Sequence, residues 1–354
     1  MHYVGVDYHK RSSYVTVVDE RGRVVKQGQI ANPQEALVAA LEGIEGEMAA
    51  VLEAGRNWPV MYDLLERLVD EVTLAHPAKV PVIAEAKVKT DRIDSRMLAQ
   101  LLRADLIPTA YVPGKVTQEQ RRQLRHRMFL VRLRTMLKNR FHILIDRHPE
   151  LSAQAQGFSD LFGKGGRQWL REIAVPGVDA QLLAEHLELL EIIEARVKAS
   201  DGWVSQLSRR DGRARLLATL PGIGDFFALL LAVEIDDVRR FCRAQKLCAY
   251  AGVVPSTYAS GGYTHHGRIT KQGNKWIRWA CIEAVYPAIR TDPALAALYE
   301  RLKPAKGANV AKVAVAKRLL TIAYRLLTES RPYRPATQPV RTRRRVSPAA
   351  PVSA

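Results

Sequence analysis

Tyr3-Val4-Gly5-Val6-Asp7-Tyr8 opens a series of three short apolar segments rich in β-branched and aromatic residues, the others being 13–18 and 24–30. The turns between them are short and polar, Asp19-Glu20-Arg21-Gly22 being the second. Turns this tight force antiparallel pairing, so residues 3–30 predict a meander and exclude a plain doubly wound parallel sheet. Beyond it the pattern alternates: a helix over 33–44, a strand over 48–54, a helix over 58–69, a strand over 71–75, and a helix headed by Asp91 and Asp94. A meander followed by alternating helix and strand gives an α/β domain, a mixed sheet with helices on its faces.

Four carboxylates sit where these elements begin or end. Asp7 lies in the first strand, Glu53 closes the strand over 48–54, and Asp91 and Asp94 stand three apart in Lys89-Thr90-Asp91-Arg92-Ile93-Asp94-Ser95. Spacing of three on a helix places both side chains on one face. Each acid alone reads as a buried satisfied Asp or a first-turn helix carboxylate. As an ordered quartet in a basic chain they read as a site for hard divalent cations, magnesium above all, and two such ions can serve both sides of a phosphodiester.

The 354-residue chain carries 54 Lys+Arg against 36 Asp+Glu, a formal charge of +18, which points to a polyanionic partner. The excess is segregated. Residues 1–105 hold 13 basic against 16 acidic residues, residues 106–150 hold 10 against 3, and residues 331–354 hold 6 against none. An acidic metal-gathering domain beside separate phosphate-holding elements fits nucleic acid better than a membrane surface. The longest apolar stretch, 226–233, is too short to span a bilayer, and the N-terminus lacks a signal-peptide layout, so a cytoplasmic protein is expected. Three cysteines without a close pair, Cys242, Cys248 and Cys281, argue against a disulfide framework and against a structural zinc site with His265 and His266.

Residues 117–145 predict one long helix whose apolar positions are interleaved with Arg121, Arg122, Arg125, Arg127, Arg132, Arg134, Lys138 and Arg140. A solvated strut normally mixes Glu with its Arg, and this helix has almost none, so it is expected to contact phosphates. The Gly163-Lys164-Gly165-Gly166 run predicts a break before a second helix over 180–207, whose leucines pair with the strut or with another subunit. Residues 213–330 form a further unit opening with Pro221-Gly222-Ile223-Gly224 ahead of an apolar helix, a helix-hairpin-helix pattern in which Gly222 and Gly224 allow backbone N–H groups to approach a phosphate. Trp276 and Trp279 read as core. The tail, 331–354, reads as a disordered basic extension.

Asp7, Glu53, the Lys-Thr-Asp-x-x-Asp run at 89–94, Pro221-Gly222-Ile223-Gly224 and the stretch from Leu247 through Ser256, Ser260-Gly261-Gly262 and Gly267-Arg268 to Lys271-Gln272-Gly273-Asn274 occur in one order. Together they resemble the DEDD transposases of the Piv-invertase family, insertion-sequence recombinases whose known members use a bridge RNA. The resemblance covers residues 1 to about 330 and rests on motifs in both halves. It implies a ribonuclease-H or RuvC-like domain over 1–105, a helical coiled-coil insert over 106–212, and a mainly helical transposase domain over 213–330 with a catalytic serine. Ser95 stands where the family usually has alanine, and the loop after Glu53 lacks a frequent threonine.

The resemblance implies a DNA recombinase that exchanges strands of donor and target DNA, with Asp7, Glu53, Asp91 and Asp94 holding one or two magnesium ions and Ser260 joining the cut end covalently. Ser260 is favoured over Ser256 because it leads into a Gly-Gly loop, whereas Ser256 follows Pro255 at a strand end. His265, Arg268 and Lys271 supply bases and cations nearby in sequence. A structured RNA guide and a homodimer or tetramer follow from the same resemblance. The rival readings are a junction-type structure-selective nuclease, an actin-like ATPase and an inactive nucleic-acid-binding scaffold. The nuclease leaves the serine unused, the ATPase requires a second glycine-rich phosphate turn that the sequence lacks, and the scaffold is expected to lose a carboxylate.

Overall fold

The first three strands, β1 (His2–Tyr8), β2 (Ser12–Val18) and β3 (Val24–Ala31), pair antiparallel as the expected meander, with Tyr3 opposite Val18 and Tyr8 opposite Ser13. The computed structural model describes residues 1–335 except 33, 56, 78–89 and 261–262, with backbone alone at 257, 259, 260, 264 and 266. Helix α1 (Gln34–Leu41) leads to β4 (Met48–Glu53), and α2 (Trp58–Leu65) leads to β5 (Glu71–Ala75). β4 pairs parallel with β1, and β5 pairs parallel with β4. The sheet order is therefore β3-β2-β1-β4-β5, a mixed sheet compatible with a ribonuclease-H-like domain.

Strand periodicity divides the residues of this sheet between two faces. Val4, Val6, Ala50 and Leu52 pack with Leu37, Leu41, Met61 and Leu65 of α1 and α2. Val51 and Ala75 pack on the other face with Leu98 of α3 (Asp91–Arg103). That second contact is close because Gly5 has no side chain: a Cβ there would lie 2.0 Å from the Ser95 carbonyl oxygen. Ser95 is fully buried, its hydroxyl 2.7 Å from that of Thr16. The departure from alanine at 95 thus adds a buried hydrogen bond between helix and sheet.

The chain forms two compact units, Met1–Pro113 and Gly114–Ala354. In the second, α4 (Lys115–Ile145) is followed by α5 (Pro149–Ala155), α6 (Lys164–Glu172) and α7 (Val178–Arg210). Leu137, Phe141 and Leu144 of α4 pack with Leu183 and Leu190 of α7 at one end of this pair. At the other, Leu124 and Met128 pack with Val204. The helices are thus antiparallel neighbours, and the buried leucine face of α7 is used within the chain, leaving Leu189 and Ile192 about half exposed. The expected break at 163–166 is instead the first turn of α6, where Gly166 presses on the backbone of Leu161.

Helices α8 (Gly212–Leu217), α9 (Asp225–Ile235) and α10 (Ala244–Tyr250) precede a hairpin of β6 (Pro255–Ser260) and β7 (Tyr263–Ile269). Then come α11 (Lys275–Glu283), α12 (Val285–Thr291), α13 (Pro293–Lys306) and α14 (Ala308–Glu329). α9 is buried from Ala228 to Ile235 and lies at the centre of one large core. Leu124, Met128 and Val204 belong to that same core. Val253 is 1% exposed in this core, and β6 begins two residues later, so Ser256 stands near the start of a strand rather than at a strand end. Of the expected tail, 331–335 are described, and Tyr333 is tied down by its hydroxyl on Asp292 and its N–H on Thr219. Gly261-Gly262, Lys89, Arg56 and the tail beyond 335 lie outside the described residues.

Candidate active site

Asp7 shares its strand face with Gly5, and Glu53 shares its face with Val51, so both point to the side of the sheet covered by α3. Since Val6 pairs with Leu52 in parallel register, Asp7 and Glu53 stand at the carboxyl ends of adjacent strands. The α3 N-terminus supplies the other two acids. Thr90 caps it, its hydroxyl accepting from Ile93 N–H, and Asp91 and Asp94 occupy the first turn. There the helix dipole favours negative charge. Asp91 is exposed, whereas Asp94 is buried at 7% exposure.

Asp7 and Asp91 come together, and a residue absent from the sequence-derived quartet joins them. His9 Nε2 lies 3.1 Å from Asp7 Oδ2 and 3.4 Å from Asp91 Oδ1. One donor atom from each of Asp7, His9 and Asp91 falls within 4.8 Å of the other two, a set that excludes Glu53 and Asp94. Burial pushes the Asp7 carboxyl above its ordinary value, and Asp91 and Asp94 add to the rise against the lowering effect of His9. His9 was legible in principle, since it continues the odd-numbered face of β1 two residues beyond Asp7. Oxygen donors with one imidazole suit a divalent cation, and the crowding of negative charge around Asp7 is relieved by one.

The basic helix α4 divides into two classes of cation. Arg121 is largely covered: it donates to the Val233 and Glu234 carbonyls at the end of α9 and lies 3.5 Å from the Glu234 carboxylate. Arg125 meets the same carboxylate at 3.3 Å, and Asn274 donates to its other oxygen at 2.8 Å, so the 1%-exposed Glu234 is paired on both sides. Arg127 pairs with Asp201 of α7 at 2.8 Å, and Lys138 lies 4.0 Å from Glu194. The acidic partners missing from the helix itself are therefore on α7 and α9. Arg122 and Arg132 are exposed, and Arg134 is half-buried.

Gly222 takes φ +78°, and a Cβ on it would lie 2.5 Å from the Ala284 carbonyl oxygen, so this glycine serves close packing on the start of α12. Gly224 is exposed at the N-terminus of α9 with open space around it. In the hairpin, Ser256 donates to the Arg268 carbonyl at 3.2 Å, a bond that spans the two strands. Ser260 ends β6 opposite Tyr263, and its side chain lies outside the described residues. Arg268 and Lys271 are exposed.

Comparison with known proteins covers both units. Residues 4–148 match the DEDD transposases of IS110 type, and residues 214–300 match the family described as transposase IS116/IS110/IS902. A probable family 20 transposase of Pseudomonas aeruginosa is 28% identical over 74% of this chain and 80% of its own length. The transposase for insertion sequence element IS1111A of Coxiella burnetii is 24% identical over 94% of this chain and 91% of its own. A pilin gene-inverting protein of Moraxella bovis is 35% identical over 34% of this chain and 38% of its own.

Proposed function

We propose how this DNA transposase, whose residues 4–148 match the DEDD transposases of IS110 type and whose residues 214–300 match the IS116/IS110/IS902 transposases, cuts and rejoins DNA. Asp7 and Asp91, with Glu53 and Asp94 behind them, hold one or two magnesium ions, and Ser260 takes the cut 5′ or 3′ end as a phosphoserine ester. The observation that carries this reading is the convergence of Asp7 and Asp91 on His9 within the charge field of Asp94. When bound, the cation would polarise the phosphodiester and offset the carboxylates' repulsion. The protein's own part is to fix the acids: the parallel pairing of β1 and β4 sets Asp7 beside Glu53, and the contact of α3 on Gly5 sets Asp91 and Asp94.

A covalent serine ester conserves the energy of the broken bond, since the serine hydroxyl displaces one deoxyribose oxygen and is itself displaced in the joining step. Joining then needs no external energy source. Support for Ser260 comes from the family resemblance and from the bond that already engages the Ser256 hydroxyl. The resemblance also supports a structured RNA guide, which would leave the protein to read backbone shape and charge, and a dimer or tetramer as the exchanging species. The sequence-derived division into a catalytic domain, a helical insert and a transposase domain belongs to the same proposal.

The metal assignment is tested with Asp7→Asn and Asp91→Asn. Magnesium should raise the melting temperature of the unsubstituted protein and not that of either variant, and strand exchange should fall at least a hundred-fold while gel retention of DNA persists. Appreciable exchange in both variants overturns the assignment. For the serine, a nicked labelled substrate is quenched in denaturant with Ser260→Ala and Ser256→Ala. An adduct lost only in Ser260→Ala is expected; loss only in Ser256→Ala reverses the roles, and cleavage without any adduct favours hydrolysis by water.

A further inference from the structure

Trp276 and Trp279, three apart on α11, do not close into the core as their spacing suggests. Trp276 is half-buried and Trp279 is 36% exposed, and with Met128 and Val131 of α4 they line a cavity of about 310 Å³. That volume lies at the lower end of small-ligand sites, about 300–1,000 Å³. Three cations, Arg127, Arg132 and Lys275, line the same cavity. Arg132 and Lys275 hang over the Trp276 ring at 5.8 and 5.0 Å from its centroid, on side chains that are exposed along their length.

The aromatic floor is fixed from behind. Trp279 meets Phe226, Phe227 and Trp276 at centroid distances of 6.0, 5.1 and 6.4 Å, in each case edge to face, with planes 69–76° apart. Arg127, itself paired with Asp201, covers Phe226 at 4.3 Å. The described residues place no ring parallel to the Trp279 indole. An exposed indole packed edge-on by neighbouring rings, with exposed cations at its rim, matches a flat π-face followed by a phosphate rather than an apolar peptide side chain.

We propose that this cavity takes an unpaired base of single-stranded DNA, stacked on Trp279, with Arg132 and Lys275 on the flanking phosphates. The inference rests on the DNA-recombining function and deepens it, since strand exchange passes through unpaired nucleotides. It assigns recognition to the α4–α11 surface of the second unit.

The test uses the full chain in EDTA with four labelled probes of equal length: oligo-dT, the corresponding abasic strand, a DNA duplex and oligo-U. The unsubstituted protein should bind oligo-dT about ten-fold more tightly than the abasic strand, the scale of one base on an aromatic platform. Trp279→Ala should erase that ratio with duplex affinity unchanged, and Trp279→Phe should keep most of it. Arg132→Gln with Lys275→Gln should weaken oligo-dT and the abasic strand equally. An unchanged dT-to-abasic ratio in Trp279→Ala overturns the proposal, as does an equal loss on duplex. Preference for oligo-U overturns the DNA assignment, and a change in oligomeric state without change in binding assigns the face to a second copy. Because no metal is present, failure of the carboxylate predictions leaves this result standing, and failure here leaves that reading standing.

Discussion

A Cβ at Gly5 would sit 2.0 Å from the Ser95 carbonyl oxygen and 2.6 Å from Ala99 N, both backbone atoms that move only if α3 moves. Gly5→Ala should therefore displace the helix carrying Asp91 and Asp94 and destabilise the first unit by about 2–3 kcal/mol or more. Ser95→Ala removes a different contact on the same interface. Thr16 keeps its bond from the Gln27 amide, so the loss should be closer to about 1 kcal/mol, and the helix should stay in place. Urea denaturation with strand-exchange assays on both variants checks the pair: Gly5→Ala should lose activity and stability together, Ser95→Ala a little stability only. His9 belongs to this scale as well. Its spacing from Asp7 was visible in the sequence, but a His beside an Asp carries no weight until Asp91 is seen to close the triangle.

Helix α4 illustrates how elements decide what a charge does. Arg121 caps the Val233 and Glu234 carbonyls, while Glu234, at 1% exposure, keeps Arg125 and Asn274 as partners when Arg121 is lost. Arg121→Gln should thus cost about 1–3 kcal/mol in chemical unfolding. Arg122→Gln with Arg140→Gln, both on the exposed face, should leave unfolding unchanged and reduce the salt slope of DNA or RNA affinity by up to about 2. A reversed pattern would return the whole helix to nucleic-acid contact. The junction of α7 and α8 carries a pH dependence. Burial by itself raises the Asp211 carboxyl, but Arg213 and the backbone N–H groups of Arg213 and Ala214 outweigh it and hold the group below its ordinary value. A lowered folded-state pKa means that the unfolded chain binds the proton more tightly, so this stabilisation is present above the ordinary Asp value and lost as pH falls through the folded one. Asp211→Ala should cost about 1–2 kcal/mol at pH 7, with the gap to the unsubstituted protein closing below about pH 3–4 in thermal melts.

Across the whole molecule, charge and fold divide at nearly the same place. Residues 1–105 carry 13 basic against 16 acidic side chains, and the first compact unit ends at Pro113. The sheet unit should therefore fold alone around its own two-sided core yet bind DNA weakly. The fragment 114–354 should keep most of the non-specific affinity and most of its salt slope. Fluorescence anisotropy of the two fragments on one duplex at several salt concentrations measures this; a sheet unit that binds as tightly as the full chain would show that charge segregation does not govern the interaction. No helix among the described residues is long and apolar enough to cross a membrane.

The antiparallel meander, the parallel strands after it and the strand ends that carry Asp7 and Glu53 were all legible from residues 1–75, because runs of β-branched and aromatic residues and short turns are local properties. The long helices 115–145 and 178–210 were legible for the same reason, within two or three residues at each end. Which charges on those helices are free was not. Arg121 and Arg122 are neighbours in sequence, but a helix turns 100° between them, and only packing against α9 makes one an internal cap and leaves the other in solvent. The same holds for Gly222, whose neighbour is an oxygen 62 residues away, and for Trp279, read as core from its spacing but placed with Met128 and Val131 of α4 around an open cavity. Sequence by itself determined the elements and the chemical kind of each face; tertiary structure alone decided which faces meet, since contacts between residues far apart in the chain have no signature in local periodicity.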